Sequence, residues 1–198
     1  RTGDYGIYAF DSVEGILDHD YGSGSPDAGF YIGQCFPCDS IIRDSISEYN
    51  GLGYSGTNAS GNLVIANSIW RYNRAGIVPN SGDGEALAPQ RKATVIGNLV
   101  YSNNNGETPA IGAAKLAQGN GILIAGGSDN LVTKNRVWDH DIAGIVSVLN
   151  PDKTVFFANR NRVINNIVSE SGEGDLATFG GEGNCFSDNV FKTSKPSN

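Results

Sequence analysis

Four ionisable side chains stand out as candidates for chemistry: Asp83, Glu85 and Arg91 in one polar stretch, and His140 inside Asp139-His140-Asp141. Two carboxylates at a fixed separation suit acid and base cleavage of a glycosidic bond. A basic group near an arginine suits proton abstraction beside a carboxylate. A second triplet, Asp18-His19-Asp20, repeats the His140 pattern, and aligning the chain as a series of stacked, repeating coils puts both in the same turn, before the strand that opens a coil. They lie about four coils or roughly 19 Å apart, too far to share a metal. No metal site and no cofactor are expected; calcium, the one ion worth considering, has no specific motif here.

A substrate-binding set follows from the aromatics. Trp70, Tyr101 and Trp138 fall at one recurring place in the chain, with Ser47 and Ser169 at the same place before and after. They are expected to form a flat exterior ladder on which sugar rings pack. Arg71 follows Trp70 directly, and Arg74 and Asn80 flank a neighbouring strand. Of the three cysteines, Cys35 and Cys38 sit in one turn and are expected to form a local disulfide in an exported protein. Cys185 lies five coils away.

The elements that must position these groups announce themselves as a repeat. An aliphatic, two residues, Asn, one residue and another aliphatic recur as IIRDSI at 41–46, VIANSI at 64–69, VIGNLV at 95–100, VTKNRV at 132–137, VINNIV at 163–168 and FSDNVF at 186–191. A Gly-led strand start recurs at Gly6, Gly29, Gly53, Gly76, Gly121 and Gly144, stepping by about 23 residues where no insertion intervenes. Stacking the repeats predicts one column of Asp44, Asn67, Asn98, Asn135, Asn166 and Asn189, about 4.8 Å apart. A weaker column is expected at Asp39, Asn62, Asn130, Asn161 and Asn184.

This pattern resembles the parallel β-helix repeat of the pectate-lyase-like superfamily over nearly the whole chain, from Gly6 to Phe191. The resemblance implies an all-β, single-stranded right-handed parallel β-helix of about seven coils, with residues 1–198 as one domain. It also implies that an enzyme on this frame would be a polysaccharide lyase, hydrolase or epimerase, although the fold itself names no reaction. The outward first-sheet residues, Tyr8 and Phe10, Tyr31 and Gly33, Ser55 and Thr57, Val78 and Asn80, Leu123 and Ala125, Val146 and Val148, include no carboxylate. That speaks against a lyase-type row on this sheet. Insertions at 81–92 and 105–119 should wall a groove across the middle coils.

Composition narrows the partners. Net charge is -7, from 21 acidic and 14 basic residues, which disfavours nucleic acid as a partner because phosphate binding relies on Lys and Arg. No apolar run long enough to span a membrane occurs. An aliphatic stripe of Ile42, Ile65, Ile96 and Ile164 is expected to face outward on the second sheet and to pack on a second subunit or on another segment of a longer precursor. The absence of methionine fits such a precursor, and neither Arg1–Gly6 nor Lys192–Asn198 reads as a cap. The expectation is a secreted or cell-surface protein that binds or processes a polysaccharide; a structural or adhesive module without catalytic activity is the alternative. A sequon at Asn58-Ala59-Ser60 is also present.

Overall fold

A computed structural model describes residues 3–197, so the expectation at Arg1 lies outside the described residues. Three parallel sheets wind around one core. The first has eight strands, Tyr5–Phe10, Ala28–Gly33, Leu52–Thr57, Ala75–Asn80, Asn120–Ala125, Ala143–Val148, Gly174–Phe179 and Ser194–Lys195. The second has seven, Ile16–Asp18, Ser40–Arg43, Leu63–Ala66, Ala93–Ile96, Leu131–Thr133, Arg162–Ile164 and Cys185–Ser187. The third has six, Tyr21–Ser23, Ile46–Glu48, Ile69–Arg71, Leu99–Tyr101, Arg136–His140 and Ile167–Ser171. Each strand pairs with its counterpart one coil on, so this is a parallel β-helix.

The short residues between strands are there because the chain must turn sharply. At the corner from the second to the third sheet, His19, Asp44, Asn67, Gly97, Lys134, Asn165 and Asp188 all adopt positive φ. Asn, Asp and Gly tolerate this left-handed conformation best, which accounts for most of the row. Glycine at the strand starts has a different cause. A Cβ on Gly76 would meet the carbonyl oxygen of Gly121 at 2.4 Å, and one on Gly121 would meet that of Gly144 at 2.5 Å. The coils approach too closely there for any side chain.

Inward positions stack like with like: Phe30, Tyr54, Ile77, Ile122 and Ile145 from the first sheet, Ile42, Ile65, Val95, Val132 and Val163 from the second, Trp70, Val100, Val137 and Val168 from the third. Burying each such side chain contributes about 1.5–3 kcal/mol relative to exposure.

The polar column differs from the sequence expectation by one residue in two coils. Ser45 donates its N–H to Ser68 Oγ, Ser68 to Asn98 Oδ1, Asn98 to Asn135, Asn135 to Asn166 and Asn166 to Asn189. Asp44 and Asn67 stand at the left-handed corner just before this column instead. The slip turns over the neighbouring faces. Ile42 and Ile65 are therefore core, and the outward aliphatics of the second sheet fall in two interrupted columns, Ile41, Val64, Thr94, Leu131 and Arg162 in one and Arg43, Ala66, Ile96, Thr133 and Ile164 in the other. The second expected column shifts likewise: Asn130, Asn161 and Asn184 are stacked, but Asp39 and Asn62 occupy corners.

A third column escaped the sequence reading. Ser25, Asn50, Asn73 and Asn103 run through the corner between the third sheet and the next first-sheet strand, each N–H donating to the next side-chain oxygen. All four are buried.

Candidate functional site

Trp70 is the main correction to the expected aromatic ladder. It pairs in register with Ser47 and Val100, is 0% exposed, and packs edge-on against Phe30 and Tyr54. Its indole N–H donates to Asn98 Oδ1 at 3.1 Å. An inward side chain cannot touch a ligand on the outside of the sheet.

The outward column of the third sheet is instead Glu48, Arg71, Tyr101, Trp138 and Ser169. Tyr101 and Trp138 are half-buried, with ring centroids 4.3 Å apart and planes 12° apart. Rings so close and so parallel must lie face to face. They form an upright stack rather than the expected flat pavement, and present edges outward. Arg71 donates to Tyr101 Oη at 3.0 Å and to Glu48 Oε2 at 2.6 Å, while Tyr21 donates to Glu48 Oε1 at 2.7 Å. Burial pushes the Glu48 carboxyl up, but these two hydrogen bonds outweigh it and hold the group below its usual range.

Two further tyrosines join the strip from the corner row. Tyr49 and Tyr72 stack at 5.6 Å, and Tyr72 meets Tyr101 edge-on at 5.8 Å. Their signal in the sequence was their place directly after the outward column residues Glu48 and Arg71. The Arg136 guanidinium sits 5.5 Å from the Trp138 ring and has no acidic partner among the described residues.

The first sheet carries a different surface. Tyr5, Tyr8 and Tyr31 pack with centroids 4.7–4.9 Å apart. Tyr5 donates to Asp27 Oδ2 at 3.0 Å, and Tyr31 donates to Glu85. Burial raises both carboxyl groups above their ordinary range, although each phenol hydrogen bond pulls the other way. Glu85 Oε2 is buried with no partner among the described residues.

The four catalytic candidates share no hydrogen bond or ion pair. Asp83 accepts from Thr154 N–H at 2.5 Å, and its own N–H donates to Asp152 at 2.8 Å, tying the 81–92 insertion to an antiparallel hairpin of Asn150–Pro151 with Val155–Phe156. Glu85 anchors that insertion over Tyr31. Arg91 donates to Pro89 O at 2.6 Å and lies 4.1 Å over the Phe36 ring. His140 is 2% exposed and continues the third buried column, with Nε2 3.2 Å from Asn103 Nδ2. Burial lowers its pKa to about 3. It is a neutral interior imidazole rather than a surface base.

The two His triplets lie at different corners, not the same one. His19 is at the corner from the second to the third sheet, where Asp18, His19 and Asp44 bring one ligand atom each within 4.8 Å of one another. Arg43 already donates to Asp18 at 2.7 Å.

Among the binding candidates, Arg74 is consumed in holding the 105–119 insertion, donating to Thr108 O, Gln118 Oε1 and Gly106 O. Asn80 accepts from Thr57 at 2.9 Å and donates to Ser55. The groove expected across the middle coils exists on the first sheet. Its second wall is the hairpin, not the 81–92 insertion. The sequon Asn58 is fully buried, its amide donating to Gly82 O and Glu85 O. Cys35 and Cys38 form a disulfide, and Cys185 is free and exposed.

A family model described as a right handed beta helix region matches residues 1–159. No curated protein sequence matches. Among solved structures, the A-module of the Azotobacter vinelandii mannuronan C-5 epimerase AlgE4 is similar, with a TM-score of 0.57 and 13% identity over 90% of this chain. The match covers 56% of that chain, and at this identity the likeness is one of fold.

Proposed function

The chain belongs to the right-handed β-helix family, and from that premise we propose that it binds a polysaccharide along its third sheet, with Trp138 as the principal contact. The observation that carries this reading is the half-buried Tyr101–Trp138 stack flanked by the Arg71 and Arg136 guanidiniums. Sugar C–H groups pack on aromatic faces, and the Trp138 face turned away from Tyr101 has only the small Ser169 beside it in the next coil, while adjacent donors meet hydroxyl or carboxylate oxygens. The edges of Tyr49 and Tyr72 extend the contact along the solenoid axis, so successive sugars would lie over successive coils.

Support from the solved epimerase module is limited to its acting on mannuronan, a polysaccharide, on the same kind of frame. The Cys35–Cys38 disulfide is compatible with an oxidising compartment, so we assign the protein to the secreted or cell-surface space. None of the described residues forms a helix long and apolar enough to cross a membrane.

Fluorescence tests the reading directly, because the two tryptophans differ in exposure. A glycan array identifies the ligand, and its titration should change the emission of Trp138 but not of buried Trp70. W138F should remove the signal, and W138A should weaken binding about tenfold or more. A bound glycan that leaves W138A unaffected, or no glycan binding at all, overturns it.

A second reading, an assembly module, is favoured by the half-buried outward aliphatics of the second sheet, Ile41, Val64 and Leu131 in one column and Ile96 and Ile164 in the next. Light scattering decides it: a mass that rises with concentration and returns to monomer in I164D supports assembly through this face.

A further inference from the structure

The groove on the first sheet has a chemistry unlike that of the third-sheet strip. Two columns floor it across three coils, Val78, Leu123 and Val146 in one and Asn80, Ala125 and Val148 in the other. The single helical turn Ala113–Leu116 makes one wall and the hairpin at Asn150–Pro151 the other, enclosing about 470 Å³. Leu116 stands at the rim, 89% exposed.

Among the described residues, no charged and no aromatic side chain lines this space. The three asparagines that do each have their amide nitrogen committed within the chain. Asn80 Nδ2 donates to Ser55 Oγ and Val78 O, Asn120 Nδ2 to Ala117 O, and Asn150 Nδ2 to Ser81 O. A sugar would bring hydroxyls, and a peptide would bring backbone N–H and C=O groups, into an apolar trough whose asparagines leave only the Asn120 and Asn150 amide oxygens open and no uncommitted amide nitrogen. Each such group left unpaired on burial costs free energy comparable to a lost hydrogen bond. What the trough can hold without that cost is hydrocarbon.

We propose that this groove binds the single aliphatic chain of a neutral amphiphile, laid across the three coils with its uncharged head at the open mouth. Both walls come from insertions into the coil rather than from the repeat. The neutral lining, in a chain of net charge -7, excludes a charged group from the trough itself.

The test is a displacement titration with n-hexanol, n-octanol and n-decanol against the neutral fluorophore N-phenyl-naphthylamine. Affinity should rise on the order of tenfold for each two methylenes added, until the groove is full. V148W and L123W place bulk in the open groove, outside the core that the three sheets enclose, and each should abolish probe binding while leaving the far-UV circular dichroism unchanged. Affinity independent of chain length, or undiminished probe binding in a folded V148W, overturns the proposal. So does self-association abolished by L116D, which would assign the groove to a second copy of the chain.

Discussion

Ser68 donates its backbone N–H to Asn98 Oδ1 at 3.1 Å, and this one contact decides which way Trp70 points. With Ser68 in the column, Ile69 is half-buried on the outside and Trp70 lies within the core. Had Asn67 filled the slot, every side chain after it in that strand would have changed face.

Asn98 is therefore the residue whose loss should be felt most sharply. It accepts from Ser68 and from the Trp70 indole, and donates to Ile65 O and Asn135 Oδ1, all in a fully buried site. Asn98→Ala is expected to cost about 3 kcal/mol, the toll of stranding two or more buried polar groups. Urea unfolding followed by Trp70 emission measures it.

The buried imidazole predicts an acid dependence of defined sign. Because burial lowers the His140 pKa to about 3, the unfolded chain, with an ordinary value near 6.5, binds the proton more readily. The stability contribution is complete above about pH 6.5 and is lost as pH falls toward 3. His140→Asn places in the slot the residue type that precedes it at Asn103, and should flatten this limb of the profile. A variant with the same acid sensitivity as the parent would remove His140 from the account.

Glu85 predicts the opposite slope. Its carboxyl is raised by burial, so the protonated folded form is favoured at low pH and the contribution is lost as pH rises through the folded value. Glu85→Gln should match the parent near pH 4 and melt higher at pH 7.5. Paired melting curves at the two pH values provide the comparison.

Asn58 holds the 81–92 insertion down. Its amide donates to Gly82 O and Glu85 O at 2.8 Å each, and its oxygen accepts from Gly82 N–H. Asn58→Ala should cost about 2 kcal/mol and accelerate limited proteolysis within 81–92, a cleavage site that mass spectrometry locates. Protection equal to that of the parent would show that the Tyr31–Glu85 contact and the Asp83 tie to the hairpin suffice without Asn58.

The frame was legible because three constraints recur in most coils: an aliphatic that must face in, a short residue that must turn left-handed, and a glycine that another coil crowds. The slip at Asn67 arose because adjacent positions, Asn67 and Ser68, both carry residues suited to corners and to side-chain hydrogen bonding. The repeat alone does not distinguish them. Asn50 and Asn73 did carry a readable signal, the same 23-residue step as the strand starts. Asn103 hid it, since an insertion separates that residue from the strand it precedes. The hairpin wall was illegible for a different reason: it is placed by Asp83 and Asp152, which meet across 69 residues of sequence.

The asparagine columns also bear on how the molecule would respond to mechanical load. Ladder bonds and side-chain stacks alike point along the solenoid axis. Tension applied along that axis loads them in series, so extension should proceed by peeling one coil at a time from an end. Force applied across the axis would meet covalent backbone in every coil. Such a rod would be a soft spring lengthwise and a stiff strut in cross-section.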